Sequence, residues 1–211
     1  MSASFWVLIA AVVALIFAEF KGNAGARAVF KLSASSIFIW EGIERGLVDD
    51  AAGVWIFAGL VGCFVGDAAL LSRAKRAFLV GLGAFLLGHL LFAVGFAARG
   101  PIWQHSAGAL AVLVAPAVVV HRWLMPHVEA AMRGPVLAYM TVITVMLALA
   151  VGLATATTAW PLLGGAALFY ISDLAVARDR FIEESEFNHL WGAPAYFLGV
   201  WLLAHSFPLA S

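Results

Sequence analysis

Charge is what this sequence has least of. Only 11% of its 211 residues are Asp, Glu, Lys or Arg, against about 25% in an ordinary soluble domain. A water-facing surface needs more than that to stay dispersed, so a soluble globular domain is excluded. The twelve basic and twelve acidic residues cancel, which leaves no electrostatic case for nucleic-acid binding. A single cysteine, Cys63, excludes an internal disulfide and a cysteine metal cluster. Glycine-rich phosphate loops, Gly-x-Ser-x-Gly elbows and His-Glu-x-x-His pairs are all missing. The six histidines are scattered along the chain, so no metal site is expected.

What is present is a series of apolar runs, and 64% of the chain is hydrophobic. The few charges punctuate these runs. Residues 1–18 carry none, Ala28–Ile43 carries Lys31 and Glu41, and Ala51–Leu71 carries Asp67. Ala77–Ala98 and Ile102–Val120 are uncharged. Gly134–Ser172 is also uncharged and too long for one crossing; Thr, Trp and Pro between Ala154 and Pro161 break it in two. A last run covers Phe187–Phe207. At about 20 residues per span, this predicts an all-α polytopic bundle of about eight transmembrane helices. Residues 1–211 then form a single membrane domain. No basic stretch precedes the first run, so it reads as a span rather than a secretory leader.

The loops predict an orientation. Those after spans one, three, five and seven hold Lys21, Arg27, Arg73, Lys75, Arg76, Arg122, Arg133, Arg178 and Arg180; the others hold only Arg45 and Arg99. This bias puts the odd-numbered loops in the cytoplasm and both termini outside it. Phe64–Arg73 (FVGDAALLSR) also echoes Phe169–Arg178 (FYISDLAVAR). The echo would make two parallel four-helix halves, each with an acid on its third helix.

Ionisable groups inside a span are costly unless they face the bundle interior or water. Here they are Glu19, Lys31, Asp67, His89 and Asp173, with Glu41 and His205 toward the opposite side. Asp67 and Asp173 are expected about one turn inside the C-terminal ends of spans three and seven. The helix dipole disfavours negative charge there, which suits a proton donor. Lys31 shares a face with Ser35, which favours an inward position over snorkelling. His89 is deeper, roughly 18 Å into span four, and could be either a site residue or interhelical glue. Tyr139, Tyr170 and Tyr196 could orient a headgroup or a water; Tyr170, one turn from Asp173, is the leading candidate. Asn188, Gly192, Tyr196 and Gly199 form a stripe on the last span that suits a packing seam as well as a site. Gly62 and Gly66 have small-xxx-small spacing beside Asp67. Pro116 is the expected mid-helix kink.

In order and spacing, Phe30-Lys31, Gly66-Asp67, Gly88-His89-Leu90-Leu91-Phe92 and Gly165–Phe169 through Ser172-Asp173 resemble the lysoplasmalogenase (YhhN-like) membrane family over nearly the whole chain. Leu32 stands where a proline is expected, Phe92 where a tyrosine is usual, and Val200 in a stretch that commonly carries a polar residue. The resemblance implies a cofactor-free, metal-free hydrolase that cleaves the vinyl-ether bond of a lysophospholipid substrate. The products would be a fatty aldehyde and glycerophosphoethanolamine or glycerophosphocholine. The expected location is the inner membrane of a bacterial cell, among its lipids.

Such chemistry needs a protonated carboxyl and a partner carboxylate, as in glycoside hydrolysis. Asp67 and Asp173 are the expected catalytic pair. Lys31, His89, Tyr170, Tyr139, Asn188 and Tyr196 are the expected binding or orienting residues. A lipid or ion transporter using the same Asp, Lys and His groups is the rival reading, and a lipid-binding sensor the second.

Overall fold

The computed structural model describes residues 2–100 and 102–207. Eight α-helices account for most of them: α1 (Ala3–Phe20), α2 (Ala24–Glu44), α3 (Gly53–Ala69), α4 (Lys75–Ala97), α5 (Trp103–Leu124), α6 (Ala130–Thr157), α7 (Trp160–Phe181) and α8 (Glu186–Ser206). Short 3-10 turns at Leu47–Asp49 and Met125–His127 complete the path. Five segments are long and apolar enough to cross a membrane unaided: α1, α4, Trp103–His127, α6 and α7. The other three complete a polytopic bundle. The expected break in the long apolar run falls between α6 and α7, where Thr158 is left-handed and Pro161 sits in the first turn of α7.

Helix ends differ from the sequence reading where a cap or a polar extension carries the helix beyond its apolar run. The Asn23 side chain accepts from Ala26 N and starts α2 at Ala24. Arg27, read as a loop residue, therefore lies on the helix. Likewise α7 runs on to Phe181, so Arg178 and Arg180 are helical. Asp67 is in the last turn of α3, as expected, but Asp173 stands about 12 Å, or two turns, from the end of α7. The dipole effect is confined to the last turn, so it bears on Asp67 and not on Asp173. Pro116 is not alone as a mid-helix proline: α6 contains Pro135 and α8 contains Pro194.

The two halves pack by the same scheme. α3 packs on α4 as α7 packs on α8; α1 packs on α2 as α5 packs on α6; α2 meets α3 as α6 meets α7. Contacts of α4 with α6 and of α8 with α1, α2 and α3 join the halves. Only Ser106 and Leu124 of α5 are buried, and Val112 and Val119 are its most exposed large hydrophobic residues.

Glycine permits the two tightest pairings. In lipid, helices associate through close packing rather than hydrophobic exclusion, so small residues decide where backbones meet. Along α3, Gly62 faces the backbone of Ala84 and Gly88, while Gly66 receives the Phe85 ring. A Cβ on Gly165 of α7 would stand 2.7 Å from the carbonyl oxygen of Gly199 on α8. Gly165→Ala should therefore lower stability by about 1–3 kcal/mol in thermal unfolding of the detergent-solubilised protein. Gly164→Ala, whose Cβ meets nothing within 4 Å, is the control; equal unfolding of the two would remove the close approach from the explanation.

Candidate functional site

A cavity of about 300 Å³ enters the bundle at the end where the odd-numbered loops gather. Its rim includes Glu19, Arg27, Arg73 and Arg180, and its interior holds Lys31, Asp67, Tyr139, Tyr170, Asp173 and Tyr196. One arm runs among Phe78, Leu82, Val120, Leu124, Val136 and Met140 of α4, α5 and α6. The cavity thus joins a polar chamber to an apolar pocket.

Asp67 is buried, at 1% exposure. A carboxylate in such a place must be paired and hydrogen-bonded. Two helices meet this need. From α2, Lys31 brings its Nζ to 3.4 Å from Oδ1 and the Ser35 hydroxyl reaches Oδ2 at 2.6 Å. From α8, the Tyr196 hydroxyl donates to the same Oδ2 at 2.6 Å. The one-turn spacing of Lys31 and Ser35 lets both face α3.

Asp173 is held differently. The Tyr139 hydroxyl of α6 donates to its Oδ2 at 2.9 Å, and His89 Nε2 of α4 stands 3.4 Å from that same oxygen. His89 is fully buried behind the cavity wall, its ring 4.2 Å from that of Phe169. Its Nδ1 lies 2.7 Å from the Phe85 carbonyl oxygen, which can only accept, so Nδ1 carries a proton. In the neutral ring, Nε2 then offers a lone pair toward Asp173, and it has no other partner. No Lys or Arg side chain pairs with Asp173 among the described residues.

Asp67, Asp173 and Lys31 therefore converge as expected, with His89 touching Asp173 from outside the cavity. The tyrosines correct the sequence reading. Tyr170 lines the cavity but makes no hydrogen bond to Asp173, whereas Tyr139 and Tyr196 each bind an acid. The Asp173 oxygen is met instead from α6, by Tyr139. Asn188 is committed to the α7–α8 turn: its Oδ1 accepts from Arg178 and its Nδ2 donates to Asp179 and to the Glu183 carbonyl. Gly192 and Gly199 pack against α7. Among the described residues, no group of His, Cys, Asp and Glu is arranged to hold a metal ion.

At the far end of the bundle, the buried Glu41 accepts from Arg45 Nε at 2.9 Å and meets His205 Nδ1 at 2.6 Å, with the Ser4 hydroxyl on its other oxygen. The Trp201 indole donates to Ser4 and stacks on His205. This cluster ties α1, α2 and α8 together, and it is apart from the cavity.

A helical membrane bundle with two interior acids in a cavity open at one end defines the class: a polytopic membrane protein with an intramembrane acidic site. Residues 26–207 match the model of the YhhN family, and the chain belongs to that family. It is similar to lysoplasmalogenase TMEM86B of Mus musculus, with 28% identity over 79% of this chain and 67% of the relative. The same protein of Rattus norvegicus is 29% identical over 81% and 66% of the two chains. Lysoplasmalogenase TMEM86A of Bos taurus is 30% identical over 72% and 64%. The chain thus spans about two thirds of the length of these relatives. No solved structure gives a significant match.

The Lys31–Asp67 pair makes a stability statement that does not depend on function. Lys31→Met leaves a buried carboxylate without its cation and should cost about 2–3 kcal/mol, somewhat below the usual loss for a fully buried pair because Lys31 keeps contact with the cavity. Adding Asp67→Asn should restore most of that. Additive losses in the double-mutant cycle would mean that the two side chains do not interact.

Proposed function

We propose that the cavity hydrolyses the vinyl ether of a lysophospholipid, with Asp173 as the acid and Asp67 as the carboxylate. The observation that carries the division of roles is the difference in their partners. Asp67 faces an ammonium and two hydroxyl donors, a setting that stabilises a carboxylate. Asp173 meets a hydroxyl donor and a lone pair on His89, a setting that a carboxyl proton completes. The names of the mouse, rat and bovine relatives supply the substrate class.

Balanced step by step, the reaction uses only these groups and water. Asp173 gives its proton to the outer alkene carbon of the O–CH=CH unit, leaving an oxocarbenium ion on the carbon next to oxygen. Asp67 takes a proton from water as the water oxygen bonds to that carbon, giving a hemiacetal. The hemiacetal hydroxyl then returns a proton to Asp173 as its C=O forms. The C–O bond to glycerol breaks, and the glycerol oxygen takes the proton held by Asp67. A fatty aldehyde and a glycerophospho-base leave, and both acids are back in their starting states. Tyr139 and His89 would hold Asp173 in position, and Tyr196 and Ser35 would hold Asp67. The apolar arm among Phe78, Leu82, Leu124 and Met140 suits the alkenyl tail.

Detergent-purified protein should release aldehyde from a lysoplasmenyl phospholipid and none from the matching acyl lysophospholipid. Asp67→Asn and Asp173→Asn should each lower kcat by about 10²–10⁴-fold while remaining monodisperse. Normal rates in both variants would overturn the mechanism, and no aldehyde from the folded wild type would overturn the activity.

The loop charges further favour a cavity mouth in the cytoplasm. The only cysteine, Cys63, is buried, so introduced thiols report cleanly. In intact cells an impermeant maleimide should label Val48→Cys and spare Lys21→Cys until the membrane is opened. The reverse pattern would invert the topology.

A further inference from the structure

The cavity has four cationic side chains on it, and they differ in what they meet. Lys31 faces Asp67 at 3.4 Å. Arg73 pairs with Glu184 at 2.7 Å, with both side chains largely in the open. The Arg180 guanidinium lies over the Phe78 ring, 4.3 Å from its centroid, beside the apolar arm. Arg27 is the fourth. Its Nη2 donates to a neutral acceptor, the Leu71 carbonyl, at 3.1 Å. Its Nη1 is 3.7 Å from Glu19, beyond hydrogen-bond length, and its Nε is buried without a partner. The side chain is 22% exposed, so most of it is fixed in place by the protein. A planar guanidinium held this way, with donor capacity left at Nη1, suits a multi-oxygen anion such as phosphate.

Its place relative to the acids is equally suggestive. Arg27 and Lys31 are four residues apart on α2, so they share a face and are separated by about 6 Å along the axis. Arg27 is at the rim, and Lys31 is one turn deeper against Asp67. In a glycerophospholipid the phosphate and the ether oxygen occupy the two ends of one three-carbon glycerol, a reach of about the same length as this helical turn. An anion seated on Arg27 would deliver the ether to the depth of the acids.

We propose that Arg27 is the phosphate-binding, specificity-determining residue of this site, and that Lys31 serves Asp67 rather than the phosphate. This rests on the reading of the cavity as a lysophospholipid hydrolase. The test compares a lysoplasmenyl phosphoethanolamine with the phosphate-free 1-alkenylglycerol, using the full-length protein in detergent as wild type, Arg27→Gln, Arg27→Lys and Arg180→Gln. Loss of a charged hydrogen-bonded contact should lower the phospholipid-to-alkenylglycerol ratio of kcat/KM by about 10–100-fold in Arg27→Gln, chiefly through KM. Arg27→Lys should recover part of the loss, and Arg180→Gln should keep the wild-type ratio. An unmoved ratio in Arg27→Gln, or an equal fall in Arg180→Gln, overturns the assignment.

Should the wild type release no aldehyde from either lipid, the hydrolase reading fails and binding decides the rest. A saturated 1-alkyl lysophosphoethanolamine should then bind wild type more tightly than Arg27→Gln. The matching 1-alkylglycerol should bind both alike. Equal binding of the phospholipid to the two proteins again overturns the assignment.

Discussion

A carboxylate removed from water must be met by charge and by hydrogen-bond donors, or it will not remain a carboxylate. The cavity end of this bundle is arranged around that constraint at Asp67. Meeting it recruits Lys31 and Ser35 from α2 and Tyr196 from α8, so the neighbouring α2 and α3 and the distant α8 are fixed at one point. The Gly66–Phe85 contact next to it then brings α4 close to α3. The Tyr196 ring packs at its edge against Phe85 and Phe169, giving the floor of the cavity an aromatic lining. The same interactions that make the acid tolerable also determine where its oxygens point.

The second acid uses the same scheme with different chemistry. In the first half, Asp67 on the third helix receives side chains from the second helix of its own half and the last helix of the other. In the second half, Asp173 receives Tyr139 from the second helix of its own half and His89 from the last helix of the other. The echo between FVGDAALLSR and FYISDLAVAR thus extends to the partners of the two aspartates. What breaks the equivalence is the cation: Lys31 has no counterpart at Asp173, where the corresponding interactions come from a phenol and an imidazole. Two similar carboxyl groups held in unlike surroundings are a general way to obtain an acid and a base from one residue type.

Much of this was legible in the sequence because lipid makes composition informative. In a chain with so few charges, each ionisable residue inside a span has to be explained, and the fold brings Lys31, Asp67 and Asp173 to one cavity, with His89 against Asp173 from behind its wall. The helix count also follows directly from the spacing of the charges. What was not legible came from polar residues at helix ends and from directions in space. Arg27 looks like a loop residue until the Asn23 cap starts α2 early, and Arg178 and Arg180 look the same until α7 runs past its apolar stretch. Tyr170 is close to Asp173 in sequence, but the tyrosines that bind the acids, Tyr139 and Tyr196, come from other helices. Asn188, expected among the orienting residues, does line the cavity, but its amide is bonded to Arg178, Asp179 and the Glu183 carbonyl in bracing a turn. Pairing across helices is tertiary information that helical periodicity does not carry.

Transport and hydrolysis ask different things of the space beyond the site. A transporter must offer polar groups a way from one face to the other, usually through helices broken near mid-membrane. Here three helices with polar groups at both ends are apolar in between. α1 passes from Glu19 through buried Leu15, Val12 and Leu8 before reaching Ser4. α2 passes from Lys31 and Ser35 through the fully buried Phe38 to Glu41. α8 passes from Tyr196 through Val200, Leu203 and Ala204 to His205. Val200, fully buried, is part of this apolar segment. The Glu41–Arg45–His205–Ser4 cluster then closes the far end by joining those same three helices. Moving a polar group through would mean opening a packed apolar layer and breaking that cluster. Chemistry at one leaflet needs neither, only a pocket wet enough at its mouth to supply water and apolar enough in its side arm to hold a lipid tail. The cavity here joins a polar chamber to an apolar arm.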